Sequence, residues 1–216
     1  MLIAALILFL AAFAVSLLGV GLARRYALRL GLMDDPGHRK VHTVATPRNG
    51  GIGIFWGFAT PLLIGLFVIE FTPLPSLLNS QLAFLHAFAP HIGGLRAHAP
   101  LAWLLLAGAL GIHIVGLLDD RKPMAAWPKL LLQLAIAAAL VGVGETLERG
   151  GFRVLTFLGS FPSPGFFLSA LVSVLWIAAL TNAFNFLDHM DGLSAGVAFI
   201  AAAIFTGSLA WAMPLL

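Results

Sequence analysis

The stretch LAWLLLAGALGIHIVGLLDDRKPMAAWPKLLLQLAIAAALVGVGE, residues 101–145, decides the fold. Residues 101–118 contain no Asp, Glu, Lys or Arg, and neither do residues 130–144. The charges Asp119, Asp120, Arg121, Lys122 and Lys129 are confined to the connection between the two runs. A hydrocarbon core about 30 Å thick takes about 20 apolar residues per helical crossing. Lipid offers no water to backbone N–H and C=O groups, so each run must close its hydrogen bonds within itself, as a helix. The stretch reads as one crossing, a charged turn and a return.

The same pattern extends in both directions. Apolar runs cover roughly residues 1–23, 51–70, 101–118, 129–144, 166–187 and 192–213, the fourth being the shortest. The chain is 60% hydrophobic and 10% charged, with a mean hydropathy of +1.00. The expectation is an all-α integral membrane protein: one membrane domain over 1–216, a bundle of about six transmembrane helices with short cytoplasmic loops. No cysteine is present, which removes disulfides and thiolate chemistry. The net charge of +3 does not point to nucleic acid, because the basic residues are scattered over short loops without interleaved aromatics.

Those basic residues report orientation. No basic residue precedes the first run, whereas Arg24, Arg25 and Arg29 follow it, unlike a secretory signal. With the N-terminus outside, Arg24, Arg25, Arg29, Arg39, Lys40, Arg48, Arg121, Lys122 and Lys129 are cytoplasmic, and only Arg96, Arg149 and Arg153 lie outside. That bias is the positive-inside pattern. Residues 74–92 are apolar enough to suggest another crossing, but their prolines and Asn79, Ser80, Gln81 and His86 favour an interfacial helix on the outer surface. A short hairpin is expected in the outer loop around FRVLTFL (152–158).

Six of the nine acidic residues are Asp, grouped as Asp34–Asp35, Asp119–Asp120 and Asp188–Asp191, each group ending an apolar run. Two crossings separate each group from the next, so all three emerge on one face. Adjacent carboxylates at a membrane boundary repel and desolvate poorly unless a cation neutralises them. Hard oxygen ligands suit Mg²⁺ or Mn²⁺, and Mg²⁺ commonly takes one or two carboxylates plus substrate phosphates. The plain alternative is a pair of aspartates capping a helix end in water beside Arg121 and Lys122. The loop 31–51 adds Arg39, Lys40, Arg48 and several glycines, a composition that suits phosphate oxygens or simply fixes topology. In the third group Asn182, Asn185, Asp188 and Asp191 recur every three residues. On a helix they form a drifting polar stripe, which faces a ligand or serves interhelical hydrogen bonds.

The segments DDPGHRKVHTVATPRNGG (34–51), LLDDRKPMAAWPKLLLQ (117–133) and NAFNFLDHMDGLSAG (182–196) together resemble the polyprenyl-phosphate N-acetylhexosamine-1-phosphate transferases. They stand in that family's order with membrane helices between them. RKVH followed by PRNGG looks more like the branch that transfers GlcNAc-1-phosphate than the phospho-MurNAc-pentapeptide branch. The resemblance implies transfer of a sugar 1-phosphate from a UDP-sugar to a polyprenyl phosphate, with release of UMP, at the bacterial inner membrane. It implies Mg²⁺, or Mn²⁺, as cofactor. Asp119, Asp120, Asp188 and Asp191 match catalytic positions, Asp119 and Asp120 also as the metal pair. Lys40, His42, Lys129, Asn182 and Asn185 match substrate-binding positions, and the oligomeric state, including a homodimer, stays open.

Two departures stand out. His189 takes the place of a glycine found in several family members, and the family's F-x-G-D-x-G-S segment has no counterpart, since FLGSFPSPG (157–165) lacks the Asp. The chain is therefore expected to be the amino-terminal part of such an enzyme or a truncated relative. The competing classes are an ion-coupled transporter and an inactive membrane scaffold. Against the transporter, ion sites usually lie near the bilayer midplane on broken helices, whereas these aspartates end helices and only His113 lies within a run.

Overall fold

The computed structural model describes residues 2–34, 45–71, 73, 91–161, 164–188 and 192–212. The Asp35, Lys40, His42, His189 and Asp191 positions and the interfacial helix expected over 74–92, apart from its last two residues, lie outside them. Six helices account for nearly all of the described chain: α1 (Leu2–Leu30), α2 (Gly50–Phe71), α3 (Ile92–Arg121), α4 (Ala126–Leu147), α5 (Gly165–Leu187) and α6 (Leu193–Ala212). The first five are long and apolar enough to cross a membrane. Their surfaces confirm what solvent they need. Large apolar side chains such as Phe13, Leu18, Ile54, Phe67, Leu110 and Leu171 are exposed, a distribution stable against lipid tails and costly in water.

Three helices are longer than the hydropathy indicated, α4 among them, which covers Ala126–Leu147 against an apolar run of 129–144. The α1 helix continues past residue 23 through Arg24, Arg25 and Arg29 to Leu30, and α3 begins at Ile92 rather than after Pro100. Lipid thickness limits the apolar part of a helix but not the helix itself. At 1.5 Å per residue the 30 residues of α3 span about 45 Å, well beyond the hydrocarbon core. The extensions have their own anchors. Ala23 and Ala27 are buried on α1, Ala99 is buried on α3, and Arg96 Nε donates to the Ile69 carbonyl at 2.7 Å.

Packing runs mainly between consecutive helices. Helices α1 and α2 approach closely where Gly19 faces Gly53 and Ser16 faces Gly57, so that added side-chain atoms there would collide with backbone. Ala59, Leu66, Ala99 and Leu106 form the buried seam between α2 and α3, where the Phe55 and His113 rings also stack at 4.5 Å. Leu140 of α4 fills the hollow over Gly108 of α3. Helix α6 touches α5 only lightly.

The two ends of the array are built differently. At one, α1 stops at Gly31, whose φ of +67° suits glycine. The Gly31 N–H bonds the Leu28 carbonyl and the Leu32 N–H bonds the Ala27 carbonyl, which closes the helix end. Met33–Asp34 (β1) then pairs antiparallel with Thr46–Pro47 (β2), bringing the two stems of the first loop together. At the other end, Thr156–Ser160 is a 3-10 turn, where a hairpin was expected. The correction has a nonlocal cause. Ser173 Oγ accepts from the Val154 N–H at 2.8 Å, and Ser169 Oγ donates to the Leu155 carbonyl at 2.8 Å. Hydroxyls of α5 thus satisfy groups that a partner strand would have taken. Arg153, almost fully buried, bridges Glu145 of α4 at 2.9 Å and Ser169 of α5 at 3.2 Å.

Candidate active site

Asp119 and Asp120 occupy the last turn of α3, and Lys129 the first turn of α4 after the short connection 122–125. Lys129 Nζ donates to Asp119 Oδ2 at 2.6 Å, and the Met124 N–H donates to Asp119 Oδ1 at 2.9 Å. Both Asp119 oxygens are therefore engaged in shaping the turn. The pair is largely enclosed, with 17% of the Lys129 side chain and 24% of Asp119 exposed.

Asp120 differs. It is partly buried, and burial penalises its charge; the negative charges of Asp119 and Asp188 add to the penalty, while Arg48 and Lys129 offset it. Arg48 comes from the first loop, fixed by its N–H to the Leu32 carbonyl at 3.0 Å beside the β1–β2 pair. Its neighbour Asn49 is 1% exposed and donates Nδ2 to the Ala23 carbonyl of α1. Asp188 caps α5, its N–H bonding the Phe184 carbonyl at 3.1 Å. All three expected loops thus send charge to one end of the helix array: Arg48 from the first, Asp119, Asp120 and Lys129 from the second, Asp188 from the third.

The polar stripe of α5 divides. Asn182 Nδ2 donates to Gln133 Oε1 of α4 at 2.7 Å and to the Ala178 carbonyl at 2.8 Å, so this residue serves an interhelical bond. Asn185 is exposed. The sequence reading missed two residues, Arg48 as a partner of Asp120 and Gln133. Gln133 lies four residues after Lys129, hence on the same helix face, and that spacing was the available signal. A cavity of about 480 Å³ with a mixed wall, polar at Arg24, Thr46 and Asn49 and apolar at Val20, Ala45 and Pro47, lies at the same end.

Among the described residues, no three His, Asp or Glu side chains gather closely enough to hold a metal. The donor set still suits Mg²⁺ bound chiefly through a substrate, which needs only one or two protein carboxylates. Asp120, with Asp188 acting on it electrostatically, fits that part better than Asp119, whose charge Lys129 already neutralises.

Helices dense enough in apolar surface to cross a bilayer, closed at one end by mixed carboxylates and cations, define a polytopic membrane protein with a cluster of opposite charges at one helix end. The pattern of Glycosyl transferase family 4 matches residues 102–213, and the chain belongs to that family. It is similar to the "Probable undecaprenyl-phosphate N-acetylglucosaminyl 1-phosphate transferase" of Bacillus subtilis (strain 168), with 32% identity over 88% of this chain and 45% of that protein. The "Decaprenyl-phosphate N-acetylglucosaminephosphotransferase" of Mycolicibacterium smegmatis is 31% identical over 84% of this chain and 39% of its own length. A "Phospho-N-acetylmuramoyl-pentapeptide-transferase" of Lactobacillus delbrueckii subsp. bulgaricus is 34% identical over 50% of this chain and 35% of its own. The chain spans less than half the length of these relatives. No solved structure matches it.

Proposed function

We propose that the chain carries the phosphate-handling part of an enzyme that moves GlcNAc-1-phosphate from UDP-GlcNAc to a polyprenyl phosphate. A phosphate oxygen of the lipid attacks the phosphorus that bears the sugar. The bond from that phosphorus to the bridging oxygen breaks, and UMP leaves with the electron pair. A phosphomonoester has its second pKa near 6, so the nucleophile is largely ionised at neutral pH and needs little help from a base. Catalysis then rests on positioning and charge neutralisation.

The observation that carries this reading is the convergence of Arg48, Lys129, Asp119, Asp120 and Asp188 from three separate loops. Lys129, oriented by Asp119, and Arg48 would face phosphate oxygens, and Asp120 with Asp188 would hold Mg²⁺. When bound, the ion supplies neutralisation of diphosphate charge. On the family resemblance Asn185 and Asp191 are assigned to the nucleotide-sugar side and Lys40 and His42 to the basic substrate-binding loop, and the distribution of basic residues supports a cytoplasmic site.

The test is transfer by the complete protein carrying this segment, supplied with Mg²⁺, undecaprenyl phosphate and UDP-GlcNAc doubly labelled in the sugar and the β-phosphate. Both labels should enter the organic-extractable lipid with one UMP released per transfer. Release of UDP, with the sugar label alone in the lipid, would mean a different glycosyl transfer, and no lipid-linked label would defeat the proposal.

A further inference from the structure

We propose that Gln133 and Asn182 are positioning residues: their hydrogen bond sets the register of α4 against α5 and so holds Lys129 and Asp119 in place relative to Asp188. The inference rests on the function proposed above and assigns the pair a part in that reaction without contact to substrate.

On α4, the buried positions Gln133, Ala137, Leu140, Val141 and Gly144 follow helical spacing and form one face, and Gln133 is its only polar member. On α5, the buried Ala178 lies one turn from Asn182. Small and aliphatic surfaces of this kind pack in more than one register, because dispersion contacts have little direction. A hydrogen bond between two amides does have direction. Gln133 is 3% exposed, and Asn182 Nδ2 reaches its Oε1 at 2.7 Å, close to ideal for such a bond.

Position along the helices gives the bond its consequence. Gln133 lies one turn inside Lys129, whose ammonium grips Asp119. Asn182 lies less than two turns inside Asp188, the cap of α5, whose charge acts on Asp120. A slip of α4 along α5 by one turn would move Lys129 about 5.4 Å relative to Asp188, more than a hydrogen bond or a contact ion pair tolerates. At the far end the same two helices are tied through Arg153, which joins Glu145 to Ser169. Glu145 lies 12 residues beyond Gln133 along α4, about three turns, which leaves the site end to Gln133 and Asn182.

The experiment uses the complete protein. Gln133→Leu and Asn182→Leu are compared with the double Leu variant and with the exchange Gln133→Asn/Asn182→Gln, which keeps the combined side-chain length. Each is assayed for transfer, and in parallel for the distance distribution between spin labels at Leu131→Cys and Ala183→Cys, two exposed positions on α4 and α5. Each single variant should lower kcat at least 10-fold, keep KM for UDP-GlcNAc within about 2-fold and broaden the label distances. The double variant should be no worse than the poorer single, and the exchange should recover most of both readouts. Unchanged kcat, unchanged distances, additive losses, an impaired exchange variant, or a raised KM with narrow distances would each overturn the proposal. Absence of transfer in the unmodified protein would defeat the enzymatic reading instead, and the label distances would still decide whether the bond sets register.

Discussion

Adjacent aspartates of the same helix turn should respond to the same substitution with unequal losses of stability. In Asp119→Asn the amide oxygen still accepts the Met124 N–H, but the bond from Lys129 Nζ, 2.6 Å long, loses its charged acceptor. Removing one partner of a fully buried ion pair costs about 3–5 kcal/mol, and an exposed pair contributes about 0–1 kcal/mol. With 17% and 24% of the two side chains exposed, this pair sits between those limits, at about 2 kcal/mol. Asp120→Asn removes repulsion from Asp119 and Asp188 while giving up attraction to Arg48 and Lys129, so its stability should stay within about 0.5 kcal/mol of the parent. On the proposed function, turnover should fall in both, by about 10²–10³-fold, because each removes charge from a site that would work by electrostatic preorganisation. Denaturant unfolding of the purified complete protein, followed by tryptophan fluorescence, separates the two effects. Lys129→Met added to Asp119→Asn should recover part of the lost stability, since it removes the stranded ammonium. Equal destabilisation by Asp119→Asn and Asp120→Asn, or a neutral Asp119→Asn, would refute the division of labour between these residues.

Helix contact and orientation give two further tests. Gly53→Ala would push a methyl group into the backbone of Gly19 and Val20, costing about 1–3 kcal/mol in the same unfolding assay, whereas Gly65→Ala, with open space around it, should be neutral or slightly stabilising. In intact cells an impermeant thiol reagent should label Cys at the exposed position Arg149 and spare Cys at the exposed position Lys122; the reverse pattern would invert the proposed orientation.

The crossings were legible because lipid imposes a one-dimensional rule, a sufficient length of uncharged chain, that sequence displays directly. Helix ends were less so. Arg24, Arg25 and Pro100 marked where apolar sequence stops, but a helix continues into water wherever other packing supports it, as Ala23 and Ala99 do here. The loop 152–158 has strand-like composition, and its actual form depends on Ser169 and Ser173, two hydroxyls one turn apart on a later helix. No local pattern reports a partner that distant. The same limit applies to Gln133 and Asn182, which lie 49 residues apart.

One feature of the site was visible in sequence once the helix ends were fixed. Carboxylates are stabilised near helix N-termini and cations near C-termini, by about 0.3–1 kcal/mol each. Here Asp119 and Asp120 end α3, Asp188 caps the end of α5, and Lys129 stands in the first turn of α4, so all four charges oppose their helix dipoles. Lys129 and Asp119 compensate each other by pairing, which leaves Asp120 and Asp188 as like charges at two negative helix ends. Selection for stability alone would remove such an arrangement with single substitutions. That arrangement, among the described residues where three loops meet, is the one the proposed function calls for, with a metal-bound diphosphate as the ligand whose positive charge Asp120 and Asp188 would balance.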